Sequence, residues 1–128
     1  MEPLFLTLEE VREIHRDEID RYGGTRGVRD NGLLESAVAA PQSGFGVHYL
    51  HADLYEMAAA YLFHLVQNHP FIDGNKRVGA ATALVFLVMN GVAAKMTNQA
   101  LVDMVLAVAQ GKMDKPAIAE FFRKHSRE

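Results

Sequence analysis

At 128 residues, with 49% apolar and 23% charged residues and a net charge of -3, the chain has ordinary globular composition and the length of one domain, taken as residues 1–128. The mild acidic balance argues against sequence-independent nucleic-acid binding; the absence of cysteine excludes disulfides and thiolate-held zinc and suits a reducing cytoplasm, the expected location. No basic region precedes a long apolar stretch at the N-terminus, so no secretory signal is expected, and the longest apolar run, 78–89, has about a dozen residues where a membrane span needs about 20.

Thr7 opens the first predicted helix. Glu10, three residues on, completes a capping box, and Leu8, Val11, Ile14 and Ile19 recur at near-helical spacing up to about Tyr22. Gly23 and Gly24 stop it, and a polar link leads to Asp30, the expected N-cap of a short helix through Leu33, Leu34 and Val38 that Pro41 ends. Between Gln42 and Leu50, glycine mixes with aromatic and β-branched residues, the pattern of a small extended flap. From His51 the helical period returns: Leu54, Met57, Ala58, Tyr61, Leu62, Leu65, Val66 and then His69 share one stripe.

Pro70 ends that helix by pushing His69 out of the α region. The next begins near Gly74 or Asn75, is apolar nearly all round, and is expected to form the centre of a bundle before Asn90 and Gly91 stop it. Thr97 caps a further helix ended by Gly111, and Asp114 with Pro116 opens a last one towards His125. The expected fold class is all-α, a bundle of about six helices with a central buried helix and a short β-like flap.

The chemistry concentrates at 68–77, NHPFIDGNKR. A helix N-terminus presents unsatisfied N–H groups and partial positive charge, which suits an anion. Lys76 and Arg77 in that first turn oppose the helix dipole, an unfavourable placement unless an anion lies beside them. Asp73 offers a hard oxygen for Mg2+, which commonly takes one or two carboxylates plus waters and phosphates, and His69 is suited to act as a general base. Each part also has a plain reading: His69 as a hydrogen-bonded core residue, Asp73-Gly74-Asn75 as a turn and cap, Lys76-Arg77 as a solvated face. No Gly-x-x-x-x-Gly-Lys-Ser/Thr motif is present, so a nucleotide is not held in the P-loop manner. His48 and His51 form a weak metal pair for which a flap or helix-start role is simpler; His15, His64 and His125 stand alone.

The run His69-Pro70-Phe71-Ile72-Asp73-Gly74-Asn75-Lys76-Arg77 resembles the signature of the Fic/Doc family, and the lysine after the asparagine resembles its Doc (death-on-curing) toxin branch. Arg21-Tyr22-Gly23-Gly24, the helix ending at Pro41, the flap and Asn90-Gly91 are similar as well. The resemblance implies an ATP- and Mg2+-dependent transferase with His69 as base towards a target-protein hydroxyl and Asp73 as the Mg2+ ligand. It makes Gly74, Asn75, Lys76 and Arg77 the phosphate-binding loop and helix start, Phe71 a buried anchor of that loop, and Ser43 to Leu50 a flap aligning a target segment as an added strand.

Departures from the family pattern bear on which phosphate moves. AMP-transferring members usually carry glycine at the position of Lys76 and a second arginine at the position of Ala80. By resemblance to the Doc branch, the chain is expected to be the toxin of a type II toxin-antitoxin system, a kinase passing the ATP γ-phosphate to elongation factor Tu and so inhibiting translation. AMP transfer is the alternative, and a non-catalytic phosphate- or protein-binding module the second. No Ser or Thr is followed four residues later by Glu and then Gly or Asn, the family's inhibitory motif, so inhibition is expected from a separate antitoxin. Neither membrane nor direct nucleic-acid partners are expected.

Overall fold

The computed structural model describes residues 2–45 and 48–127. Its helices are α1 (Leu8–Tyr22), α2 (Asn31–Ala39), α3 (Leu54–Asn68), α4 (Asn75–Met89), α5 (Asn98–Ala109) and α6 (Lys115–Lys124). The expected all-α bundle is what forms. Caps explain most boundaries. Thr7 and Glu10 make the reciprocal capping box of α1, and the side chains of Asp30, Asp53, Thr97 and Asp114 each accept a first-turn N–H of the helix that follows.

The helix at the centre is α3, not the more uniformly apolar α4. It packs against α2, α4, α5 and α6 and buries eight residues, Met57 to Leu62 together with Leu65 and Val66. In contrast α4 leaves Val85 and Val88 exposed, at 38% and 64%. Hydrophobicity all round a helix therefore marked a helix packed against α1, α3 and α5 with an uncovered outer face. Its close seat on α3 needs Gly79, where an added Cβ would lie 2.9 Å from Val66 Cγ2 and 3.3 Å from the Leu62 carbonyl.

Two small ladders complete the fold. In the flap region β1 (Gly44–Phe45) pairs antiparallel with β2 (His48–Tyr49); the flap's Gly46 and Val47 lie outside the described residues. The second ladder, β3 (Ala93–Ala94) with β4 (Ser126–Arg127), ties the chain after α4 to the segment after α6 and has no counterpart in the periodicity, because two-residue strands carry no pattern. Helix α3 begins at Leu54, the first apolar position of its stripe and three residues after the expected onset at His51, because Asp53 caps it. Among the described residues no helix is long and apolar enough to cross a membrane.

Candidate active site

The loop from His69 to Gly74 joins the end of α3 to the start of α4, and its shape comes from bonds on three sides. From inside, Asn75 turns its buried amide back: Oδ1 accepts the Phe71 N–H at 2.9 Å and Nδ2 donates to the Phe71 carbonyl at 3.0 Å. From below, His15 lies parallel to the Phe71 ring, with centroids 3.8 Å apart and planes at 7°, and its Nε2 is 2.7 Å from the Asp73 carbonyl oxygen. A carbonyl only accepts, so the His15 proton sits on Nε2. From outside, the link between α1 and α2 lies alongside as an irregular strand, with a Val28–Phe71 bridge and an Ile72 N–H to Gly27 carbonyl bond.

His69 is the C-cap of α3 at φ 48° and ψ 53°, the only non-glycine with positive φ among the described residues. That left-handed conformation costs on the order of 1–2 kcal/mol for a residue with a Cβ. It turns the chain sharply while the imidazole remains exposed. Asn75 Nδ2, purely a donor, stands 3.4 Å from His69 Nδ1, a contact too long to fix the tautomer.

Asp73 is exposed, and both carboxylate oxygens are already oriented: Oδ2 accepts the Thr25 N–H at 3.0 Å and Oδ1 the Gly74 N–H at 2.8 Å. These two bonds, the Thr25 one first, hold its pKa below the usual carboxylate value, and the Arg77 guanidinium adds to the effect. The approach of Thr25 depends on Gly24, at φ 124°, where a Cβ would lie 2.7 Å from Asp73 Oδ2. The carboxylate is thus ionised, aimed and open on its remaining lone pairs. Among the described residues no three His, Asp or Glu side chains cluster to hold a metal alone. A single preset carboxylate fits a Mg2+ that draws its other ligands from phosphates and water.

Gly74, at φ 77°, caps α4 without a side chain, and that helix has no acidic residue in its first turn. The first-turn N–H groups of Asn75, Lys76 and Arg77 therefore point out of the helix with no intrahelical partner. Lys76 is exposed and Arg77 half-buried, with Nη1 3.4 Å from the Glu18 carbonyl. Burial beside α4 raises the Glu18 pKa, with Asp17 adding to it. Phe71, at 1% exposure, offers a ligand no side-chain surface; it anchors the loop from beneath.

The structure thus brings His69, Asp73, Gly74, Asn75, Lys76 and Arg77 onto one loop and helix start. The described part of the flap makes no hydrogen bond or ring contact with them. Tyr49 packs on Phe5, which stacks on Phe86 near the far end of α4, and α3 spans roughly 22 Å between the flap's end and His69. His51 is buried, and the side chain of His48 is outside what the structure describes. Sequence reasoning missed His15, whose place between Val11 and Ile19 on the buried stripe of α1 was the available signal, and Arg29, for which there was none.

The Fic/DOC family model matches residues 5–87. The chain is 33% identical over 116 residues to "Protein kinase doc" of Escherichia phage P1, covering 91% of this chain and 90% of the relative. It is 43% identical over 101 residues to "Toxin Doc" of Mycolicibacterium smegmatis, covering 77% of each. With its signature loop built as described and these relatives aligned over most of its length, the chain belongs to the Fic/DOC family.

Proposed function

We propose that this protein is the toxin of a type II toxin-antitoxin pair and acts as a cytoplasmic, ATP-dependent protein kinase, transferring the γ-phosphate to a hydroxyl of a target protein, elongation factor Tu, and so inhibiting translation. The observation that carries the reading is the convergence of an exposed His69 imidazole, an ionised Asp73 carboxylate and the uncapped N-terminus of α4 on one loop. The relatives named as a Doc toxin and as a protein kinase support it.

In this reading the first-turn N–H groups, Lys76 and Arg77 bind and orient the phosphates. Asp73 would hold Mg2+, which when bound supplies charge neutralisation on the phosphate oxygens. His69 takes the proton of the target hydroxyl as its oxygen forms the new bond to the γ-phosphorus; the bond to the bridging oxygen breaks and ADP leaves. The nitrogen that meets the hydroxyl must carry the lone pair, and the weak 3.4 Å contact with Asn75 leaves the ring able to provide it.

An antitoxin supplied in trans has a surface to occupy. Helices α1, α4 and α5 enclose a groove of ≈ 530 Å³ whose mainly apolar wall includes Tyr22, Ala80, Leu84, Leu101 and Val102, with Lys76 and Arg77 on the same wall. A helical or ordering segment there would cover apolar surface and the phosphate-binding cations together.

The test is label transfer from ATP to elongation factor Tu. The γ label is expected on the target and the α label is not, and His69→Ala and Asp73→Asn are each expected to lower transfer by about a hundredfold or more. Transfer of the α label would replace the kinase reading with AMP transfer. Undiminished toxicity of both variants in cells would replace both with a non-catalytic binding module.

A further inference from the structure

We propose that Arg29, which lies outside the signature loop, is a positioning residue that sets the direction of the His69 side chain. The proposal rests on the reading of His69 as the base and adds what holds it. The Arg29 guanidinium donates from Nε to the His69 carbonyl at 2.6 Å and from Nη2 to the Asn68 carbonyl at 2.9 Å. The Asn68 carbonyl belongs to the peptide plane before the His69 Cα, and the His69 carbonyl to the plane after it. Fixing both planes fixes φ and ψ of His69, and these set where its Cα–Cβ bond points.

Two further bonds extend the clamp. The backbone N–H groups of Arg29 and Asp30 both donate to the Pro70 carbonyl, at 2.7 and 3.0 Å. Three successive carbonyls, 68 to 70, are thus held by two successive residues of the α1–α2 link. Something must hold them, because His69 occupies a left-handed conformation that a residue with a Cβ avoids, and the following proline restricts it further. Carbonyls at the end of a helix lack intrahelical partners, and a cation there is favoured by the dipole. Arg29 meets both needs with a planar fork that a lysine's single ammonium does not reproduce.

Arg29 makes no contact with Asp73 or the α4 N-terminus among its hydrogen bonds. Its removal should therefore affect the alignment of the base and spare nucleotide binding. A merely structural helix cap would instead lower the folded fraction and leave the kinetics of the folded molecules unchanged.

The experiment compares the parent chain, Arg29→Ala, Arg29→Lys and His69→Ala. Steady-state transfer to elongation factor Tu is measured, with melting curves and ring-proton NMR spectra in which the His69 signals are identified by their loss from His69→Ala. Arg29→Ala is expected to lower kcat by roughly ten- to a hundredfold, since small misplacements of reacting groups have effects of that order, with KM for ATP within about twofold. Its His69 signals should shift and broaden while the fold melts cooperatively. Arg29→Lys should recover only a minor part of kcat, and free guanidinium ion should restore activity to Arg29→Ala and not to Arg29→Lys.

Unchanged His69 signals in Arg29→Ala would overturn the proposal, as would a kcat loss fully accounted for by unfolded protein. Where the parent transfers no phosphate, the functional reading of His69 fails separately, and the NMR comparison still decides whether Arg29 orients the ring. Should Arg29→Ala not fold, the same signals and the kcat to KM split are read in Arg29→Lys.

Discussion

His15 and Phe71 stack face to face, 3.8 Å between ring centroids, while the same imidazole donates to the Asp73 carbonyl. One buried side chain of α1 thus supports the anchor of the signature loop and the peptide of its acid. His15→Ala removes a buried hydrogen bond and a ring contact. It is expected to destabilise the fold by about 2–4 kcal/mol, combining an unsatisfied carbonyl with a cavity, and to weaken Mg2+-dependent transfer through a displaced Asp73. Chemical denaturation and a Mg2+ titration of activity check the two effects; unchanged stability would show that the stack contributes nothing.

How much of this was legible beforehand depends on whether a feature is local. The capping box at Thr7, the caps at Asp30, Thr97 and Asp114 and the break at Pro70 each follow from a few adjacent residues, and all form. The chemistry-bearing residues of the loop share one short segment, so they too could be read in order. What could not be read is what touches the loop from elsewhere. His15, Thr25 and Arg29 act across 40 to 58 positions of chain, each through a backbone carbonyl or amide that carries no sequence signal. The exchange of centre from α4 to α3 has the same origin, since composition reports how apolar a helix is and not how many neighbours cover it.

Gly24→Ala is a narrower test of how Asp73 is set. The added Cβ would stand 2.7 Å from Asp73 Oδ2 and 2.9 Å from Ile19 Cδ1, at a φ of 124° that a side chain rarely adopts. Strain of this kind costs about 1–3 kcal/mol, and relief requires moving the carboxylate or the Thr25 amide that orients it. A lower melting temperature with a raised Mg2+ requirement is expected. Wild-type Mg2+ dependence would show that the Thr25 bond is dispensable.

Acid sensitivity should come from histidines buried in their neutral form. Burial holds the pKa of His15 and His51 below 6.5, and burial together with the nearby Lys115 and His51 lowers that of His64 to about 4. A histidine depressed in the folded state binds a proton more readily when unfolded. Its stabilising contribution is complete above the unfolded value near 6.5 and is lost as pH falls towards the folded value. Lys115 Nζ lies 3.2 Å from His64 Nε2, a contact that protonation of His64 turns repulsive. Melting temperature is therefore expected to fall between pH 6.5 and 4, and His64→Gln should flatten that fall. An equally steep decline in the variant would remove His64 as a cause.

Gly79→Ala sets helix propensity against packing. In an exposed helix the change would stabilise by about 1 kcal/mol. Here the new methyl would meet Val66 Cγ2 at 2.9 Å and the Leu62 carbonyl at 3.3 Å, and one contact partner is backbone of the central helix. Overpacking of this kind costs about 1–3 kcal/mol, so a net loss near 1 kcal/mol is expected in urea unfolding. A net gain would mean that α3 and α4 separate more freely than their packing suggests.

The choice of phosphate is the most consequential prediction, and it rests on two positions one helical turn apart. Lys76 and Ala80 share the wall of the groove beside Arg77, so a lysine chain crowds one end of that surface while the second position offers no cation. Replacing both, Lys76→Gly with Ala80→Arg, removes the bulk and adds a phosphate clamp. Stability should be nearly unchanged, because glycine in the first turn costs up to about 1 kcal/mol and removing a cation from the positive end of the helix returns about 0.3–1 kcal/mol. Transfer of the γ label is expected to fall at least about tenfold and transfer of the α label to appear, with Asp73→Asn abolishing both. Undiminished γ transfer with no α label would show that these two side chains do not choose the donor phosphate, and that the orientation of the nucleotide is set by the backbone of the loop itself.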